Sequence, residues 1–101
     1  ANVTSYSVLI YGGPDGYQTN RAQITLRDGN NVVAWVRFND PGIALENDDM
    51  LGSVIRMHLP NTMFHSVIDM LRNESPIKVY FAKTGDSWVQ TLNPQAKAKH
   101  S

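Results

Sequence analysis

The chain has 101 residues, nine Lys and Arg against nine Asp and Glu, 42% hydrophobic residues and no Cys. That length supports one compact core and is short for two, and the balanced charge argues against a polyanion binder with a basic whole-domain charge. Without Cys there is no disulfide framework, thiol nucleophile or cysteine zinc site. The longest apolar runs, Val8–Tyr11 and Val32–Val36, fall far short of the roughly 20 residues a membrane-spanning helix needs.

The chain opens Ala1-Asn2-Val3-Thr4, with no basic stretch and no apolar leader core. No targeting segment is expected, and the cytoplasm is the favoured compartment. Period-two alternation dominates the chain as far as Pro60. Val3–Tyr11 is rich in β-branched and aromatic residues and runs into the turn cluster Gly12-Gly13-Pro14-Asp15-Gly16. Arg21–Arg27 alternates, with Ala22, Ile24 and Leu26 on one side and Arg21, Gln23, Thr25 and Arg27 on the other. Asp28-Gly29-Asn30-Asn31 tolerates positive φ, so Val32–Phe38 should return as a hairpin. Ile43–Ser53 reads as a long acidic loop with room for one helical turn around Ala44–Asn47, and Val54–Leu59 as a fourth strand.

After Pro60 the period changes. Met63, Phe64, Val67, Ile68, Met70 and Leu71 share one helical face, and His65, Ser66, Asp69, Arg72 and Asn73 the other. Asn61 or Thr62 is the expected cap, and Ser75-Pro76 the stop. Ile77–Ala82 and Trp88–Leu92 close the chain as a last pair of strands. The expected fold class is α+β in two layers: an antiparallel five- or six-stranded sheet, ordered β-β-β-β-α-β-β along the chain, with one helix on one face. A strongly curled half-barrel is the next arrangement the pattern admits. One domain is expected over 1–94, followed by a flexible basic tail over 95–101.

Placing the apolar alternates toward the helix leaves a second sheet face bearing Arg21, Gln23, Thr25, Arg27, Val33, Trp35, Arg37, Val54, Arg56, His58, Lys78 and Tyr80. Five of the nine cations fall there and no acid does. Trp35, Arg37, Arg56, His58, Lys78 and Tyr80 are the candidate ligand-binding residues, because guanidinium groups pair with phosphate or carboxylate and aromatic rings offer stacking planes. Three readings compete: an ordinary outer face, the centre of a homodimer interface with Arg at its rim, and a ligand face. A small anion needs only two converging Arg, so it is the favoured ligand of that face, and nucleic acid is the less favoured one.

Chemistry-bearing motifs are sparse. His58, His65 and Asp69 match no metal spacing, and Glu46-Asn47-Asp48-Asp49 lacks the pattern of a calcium loop. Ser53, Ser66 and Ser87 sit in no nucleophile elbow. No cofactor, metal or catalytic residue is expected, and none of these patterns carries a family signature. The expectation is a small soluble binding or interaction module that self-associates, with a small-ligand pocket or enzyme site between the sheet and the 43–53 loop as the alternative. A single-strand nucleic-acid binder comes third.

Overall fold

The computed structural model describes residues 1–91. The expected basic tail over 95–101, and the strand end and domain boundary at 92–94, lie outside the described residues. Among the described residues, eight strands and one helix succeed one another: β1 (Asn2–Val3), β2 (Ser5–Ile10), β3 (Asn20–Asp28), β4 (Asn31–Asn39), β5 (Asp49–Leu51), β6 (Val54–Pro60), a 3-10 turn over Asn61–Met63, α1 (Phe64–Asn73), β7 (Ile77–Phe81) and β8 (Ser87–Thr91). The class is α+β with the helix packed on a sheet, as the alternation and the change of period require. No described helix is long and apolar enough to cross a membrane.

The strands divide between a five-stranded sheet, ordered β2-β3-β4-β6-β5, and a three-stranded one, ordered β1-β7-β8. The division falls inside what the sequence presents as one strand. At Thr4 the chain leaves β7, where Asn2 faces Lys78, and joins β3, where Ser5 faces Arg27. Thr4 secures the crossing: its N–H donates to Arg27 O at 2.7 Å and its hydroxyl accepts from Gly29 N–H at 2.8 Å. Pairing is antiparallel except between β4 and β6, which run parallel. The long connection from Asp40 to Ser53 makes the parallel return possible, since a parallel pair needs a crossover of about a dozen residues or more.

Two local expectations fail. The turn around Ala44–Asn47 is not helical, and the end of that loop instead forms β5, which pairs back on β6 across Gly52-Ser53. Neither Asn61 nor Thr62 caps α1 through its side chain, because a 3-10 turn precedes the helix and the Asn61 amide donates to Asp40 Oδ1 at 3.1 Å. The β3–β4 hairpin does form as expected. Gly29 takes φ 61° at the first position of its two-residue turn, where a β-carbon is disfavoured.

The core lies between the five-stranded sheet and a second layer made of α1 and β7. Ala22, Ile24, Leu26, Ala34, Val36, Phe38, Ile55 and Met57 are buried from one side, Val67 and Val79 from the other. Phe64, Ile68, Leu71 and Phe81 are half-buried against them, and the Phe64 ring meets Phe38 edge-on at 5.1 Å. The small sheet therefore shares the helix's side of the large one, which leaves the opposite face of the large sheet as an outer surface.

Candidate functional site

The outer face brings Trp35, Arg37, Arg56 and His58 together. Parallel pairing of β4 with β6 sets Trp35 beside Arg56 and Arg37 beside His58. Arg37 Cζ lies 5.7 Å from the centre of the Trp35 ring, within cation–π reach, and its Nε donates to Gln23 Oε1 at 3.1 Å. Lys78 and Tyr80 belong to the other sheet. There Tyr80 stacks on Trp88 with ring centres 5.3 Å apart, and Lys78 faces Gln90, which accepts the Trp88 indole N–H at 2.9 Å. The six candidates thus form two groups on two surfaces.

The outer face is less basic than the alternation implies. Asp49 stands opposite Arg56 because β5 adds a strand that alternation does not announce, and its Oδ1 accepts from Arg56 Nε at 2.7 Å while Nη2 reaches Oδ2. The Arg56 contact, helped by the charges of His58 and Arg37, holds the Asp49 carboxyl below its ordinary range against a partial burial that would raise it. Arg21 is likewise paired with Asp40, and Arg27 Nη1 donates to Ser7 Oγ at 2.9 Å. Each of these guanidinium groups sits against an acceptor on a neighbouring segment, a carboxylate for Arg21 and Arg56 and an uncharged oxygen for Arg27 and Arg37.

His58 is only 7% exposed, although the alternation places it on the open face. The 43–48 segment folds over it. Glu46 Oε2 stands 3.8 Å from His58 Nε2, and Asp48 Oδ1 accepts the His58 backbone N–H at 2.7 Å. The other Asp48 oxygen accepts the Ser87 hydroxyl, so one carboxylate ties β6 of the large sheet to β8 of the small one. Among the described residues, His58 Nδ1 and Asn39 Oδ1 are buried without a hydrogen-bond partner, and a buried polar atom in that state is uncommon. Among the described residues, no group of three or more His, Asp and Glu is placed to hold a metal ion. His65 lies against the Phe64 ring at 5.8 Å, and Asp69 accepts the Asn73 amide at 2.7 Å.

The cleft next to the 43–53 loop has a volume of about 330 Å³ and is lined by Val33, Met50, Ser53, Ile55, Tyr80 and Phe81, together with Ala1 and Val79. Of the six candidate residues it includes Tyr80; Arg37 and Arg56 lie outside it. A second surface falls outside the candidate face altogether. Val8, Leu9 and Ile10 on β2 are 38%, 55% and 66% exposed, three apolar residues in a row at the end of the five-stranded sheet. Its signal is present in the chain: no Asp, Glu, Lys or Arg occurs between Asn2 and Pro14. No family model, curated protein or solved structure matches this chain.

Proposed function

We propose that this chain is a small interaction module that associates with itself and carries no chemistry of its own. One observation carries the reading. Exposed large apolar side chains gather at both ends of the five-stranded sheet: Val8, Leu9 and Ile10 on β2, Met50 and Leu51 on β5. Contiguous apolar surface at a strand edge is a common protein contact, because the unpaired backbone there can accept another strand. The pairing of Arg21 and Arg56 with acids supports the same reading, since it leaves the polar face little net charge with which to attract a polyanion. Sedimentation equilibrium across the micromolar range tests it. Self-association is expected, and a strictly monomeric 11.3 kDa species at every concentration overturns it.

A second reading rests on Arg37. Its Nε is held by Gln23, its guanidinium lies over Trp35, and Arg56 stands on the next strand, which favours a small carboxylate or phosphate shared by two guanidinium groups. A thermal-shift panel of small anions decides it. Stabilisation by an anion that disappears in Arg37→Ala supports the anion site; no response to any anion removes it. Steep salt-sensitive binding of a labelled oligonucleotide would instead favour a nucleic-acid role for the same face.

A further inference from the structure

We infer that the partner in self-association is a second copy joined through β2, paired antiparallel about a two-fold axis at Val8 so that two five-stranded sheets become one. The inference rests on the self-association reading above and specifies its geometry.

The backbone supplies the first argument. Tyr11 N–H donates to Arg21 O at 2.8 Å, one step beyond the Ile10–Ala22 pair. In an antiparallel ladder the bonded residues alternate, so Tyr11, Leu9, Ser7 and Ser5 spend their backbone groups on β3, while Ile10, Val8 and Tyr6 turn theirs outward. The pairing of β2 with β3 runs from Ser5 to Ile10 without a register shift, and β2 contains no Pro. The outward edge is therefore regular. Bulges, prolines and lysines, the usual devices that keep an edge strand from pairing with another chain, are missing from it.

A two-fold axis at Val8 matches these groups to themselves. Val8 faces Val8 of the second copy, and Tyr6 faces Ile10, so the three outward residues of each strand exchange backbone bonds with the three of the other. The same register sets Ser7 against Leu9 across a non-bonded pair, where side chains approach closely. Tyr6, Val8 and Ile10 stand on the helix side, opposite Leu26, Ile24 and Ala22. Pairing thus lays two apolar rows side by side there, with aromatic against β-branched at both ends. Ile10 also lines a cleft of about 280 Å³ with Phe38, Phe64 and His65, and the joined rows extend that apolar surface.

Charge selects this edge over the other. β2 lies within a stretch with no Asp, Glu, Lys, Arg or His from Asn2 to Pro14, so neither strand brings a charge of its own against the other at the axis. β5 is three residues long, carries Asp49 and comes just after Glu46 and Asp48, so two such edges would bring acids together. Pairing β2 of one copy with β5 of the next is head-to-tail and gives an open-ended assembly, whereas β2 with β2 closes at two.

The test combines mass and register. Sedimentation of the full chain should give a dimer that does not grow further with concentration. Val8→Lys places two like charges at the axis, and Val8→Pro removes an N–H that the chain's own ladder does not use. Each should weaken the dimer at least tenfold while circular dichroism stays that of the folded chain. The chain has no Cys, so a mixture of Ser7→Cys and Leu9→Cys protein should form a disulfide-linked heterodimer on oxidation, faster than either variant alone forms a linked homodimer. This second arm decides the matter even if the Val8 variants do not fold. A monomer at all concentrations overturns both this inference and the self-association reading. A dimer that survives the folded Val8 variants and shows no preferred Ser7–Leu9 linkage overturns this inference alone. Mass rising without limit overturns it in favour of head-to-tail pairing.

Discussion

The guanidinium of Arg21 and the carboxylate of Asp40 meet through three hydrogen bonds, Nε to Oδ1 at 3.0 Å and to Oδ2 at 3.1 Å, and Nη2 to Oδ2 at 2.7 Å. The remaining donors of Arg21 reach Tyr11 O at 2.6 Å, Gly13 O at 2.8 Å and Pro14 O at 3.2 Å. Asp40 also accepts the Asn61 amide. One ion pair thus joins the turn after β2, the end of β4 and the entry to the helix. Arg provides this fork of donors and Lys does not. The pair stands at the sheet's end as a clasp, which removes Arg21 from any set of cations free to meet a ligand.

The clasp makes stability depend on pH. The hydrogen bond from Arg21 holds the Asp40 carboxyl below its ordinary range, and the contact with Arg56 does the same for Asp49. A carboxyl whose pKa is lower in the folded chain binds fewer protons there than when unfolded. Its contribution is therefore present above the ordinary Asp value of about 4 and is lost as pH falls through the folded value. Melting temperature should drop from about pH 5 toward about pH 2, and the drop should shrink in Asp40→Asn. A melting temperature as acid-sensitive in Asp40→Asn as in the parent chain would show that Asp40 does not contribute to the acid response. Arg21→Lys should melt below the parent at neutral pH, because the ion pair survives in part and the three carbonyl contacts do not.

Gln18 and Thr19 form the tight turn between Tyr17 and Asn20, whose N–H and C=O groups bond both ways at 2.9 and 2.8 Å. Both turn residues have positive φ, 49° and 67°. A β-branched residue is unfavourable there, by about 1–2 kcal/mol for the left-handed region. Thr19→Gly should stabilise the chain by about 1 kcal/mol, net of the extra freedom Gly has when unfolded. That raises the melting temperature by roughly 4–8 °C for a domain of this size. An unchanged or lower melting temperature would show that the turn holds no strain.

The core pattern was legible because each large strand has one buried side. Ala22, Ile24 and Leu26, and likewise Ala34, Val36 and Phe38, are read straight from alternation. Period alone says nothing of neighbours, so the parallel setting of β4 beside β6 and the change of sheet at Thr4 were out of reach. β5 was within reach. Met50-Leu51 and Val54-Ile55 flank Gly52-Ser53, a two-residue hairpin signal, but the acids on its N-terminal side have the composition of a loop. Only β5 sets Asp49 opposite Arg56, so without that strand the acid that neutralises Arg56 has no place on the sheet. Parity assigns His58 to the open face, beside Arg37 on β4. Its burial comes from Glu46 and Asp48, a loop contact that no spacing encodes.

Within the core the burden of packing is unequal. Phe38 is fully buried and Ile68 half-buried. Phe38→Ala should cost about 3–5 kcal/mol, and Ile68→Ala less than the roughly 2–5 kcal/mol of a fully buried site. Urea unfolding measures both. Equal losses would mean that α1 seats more deeply on the sheet than its half-buried side chains indicate.

Asp48 is the polar residue whose loss should spread furthest. Its carboxylate accepts the backbone N–H of His58 and the hydroxyl of Ser87 at once. The His58 N–H lies on the side of β6 that β5, ending its ladder at Asp49–Arg56, no longer covers. The Asp48 side chain thus continues the ladder where the strand stops. Asp48→Ala leaves that N–H without its acceptor, at a cost of about 1–3 kcal/mol for an unsatisfied buried group. Ser87→Ala removes only one hydroxyl donor and should cost about 1 kcal/mol. Asp48→Asn keeps an acceptor oxygen for one of the two partners, so it should fall between them. Hydrogen exchange gives the sharper readout: in Asp48→Ala the His58 amide should exchange faster together with the amides at the start of β8, while those of β3 and β4 keep their protection. Faster exchange confined to one sheet would show that Asp48 does not join the two.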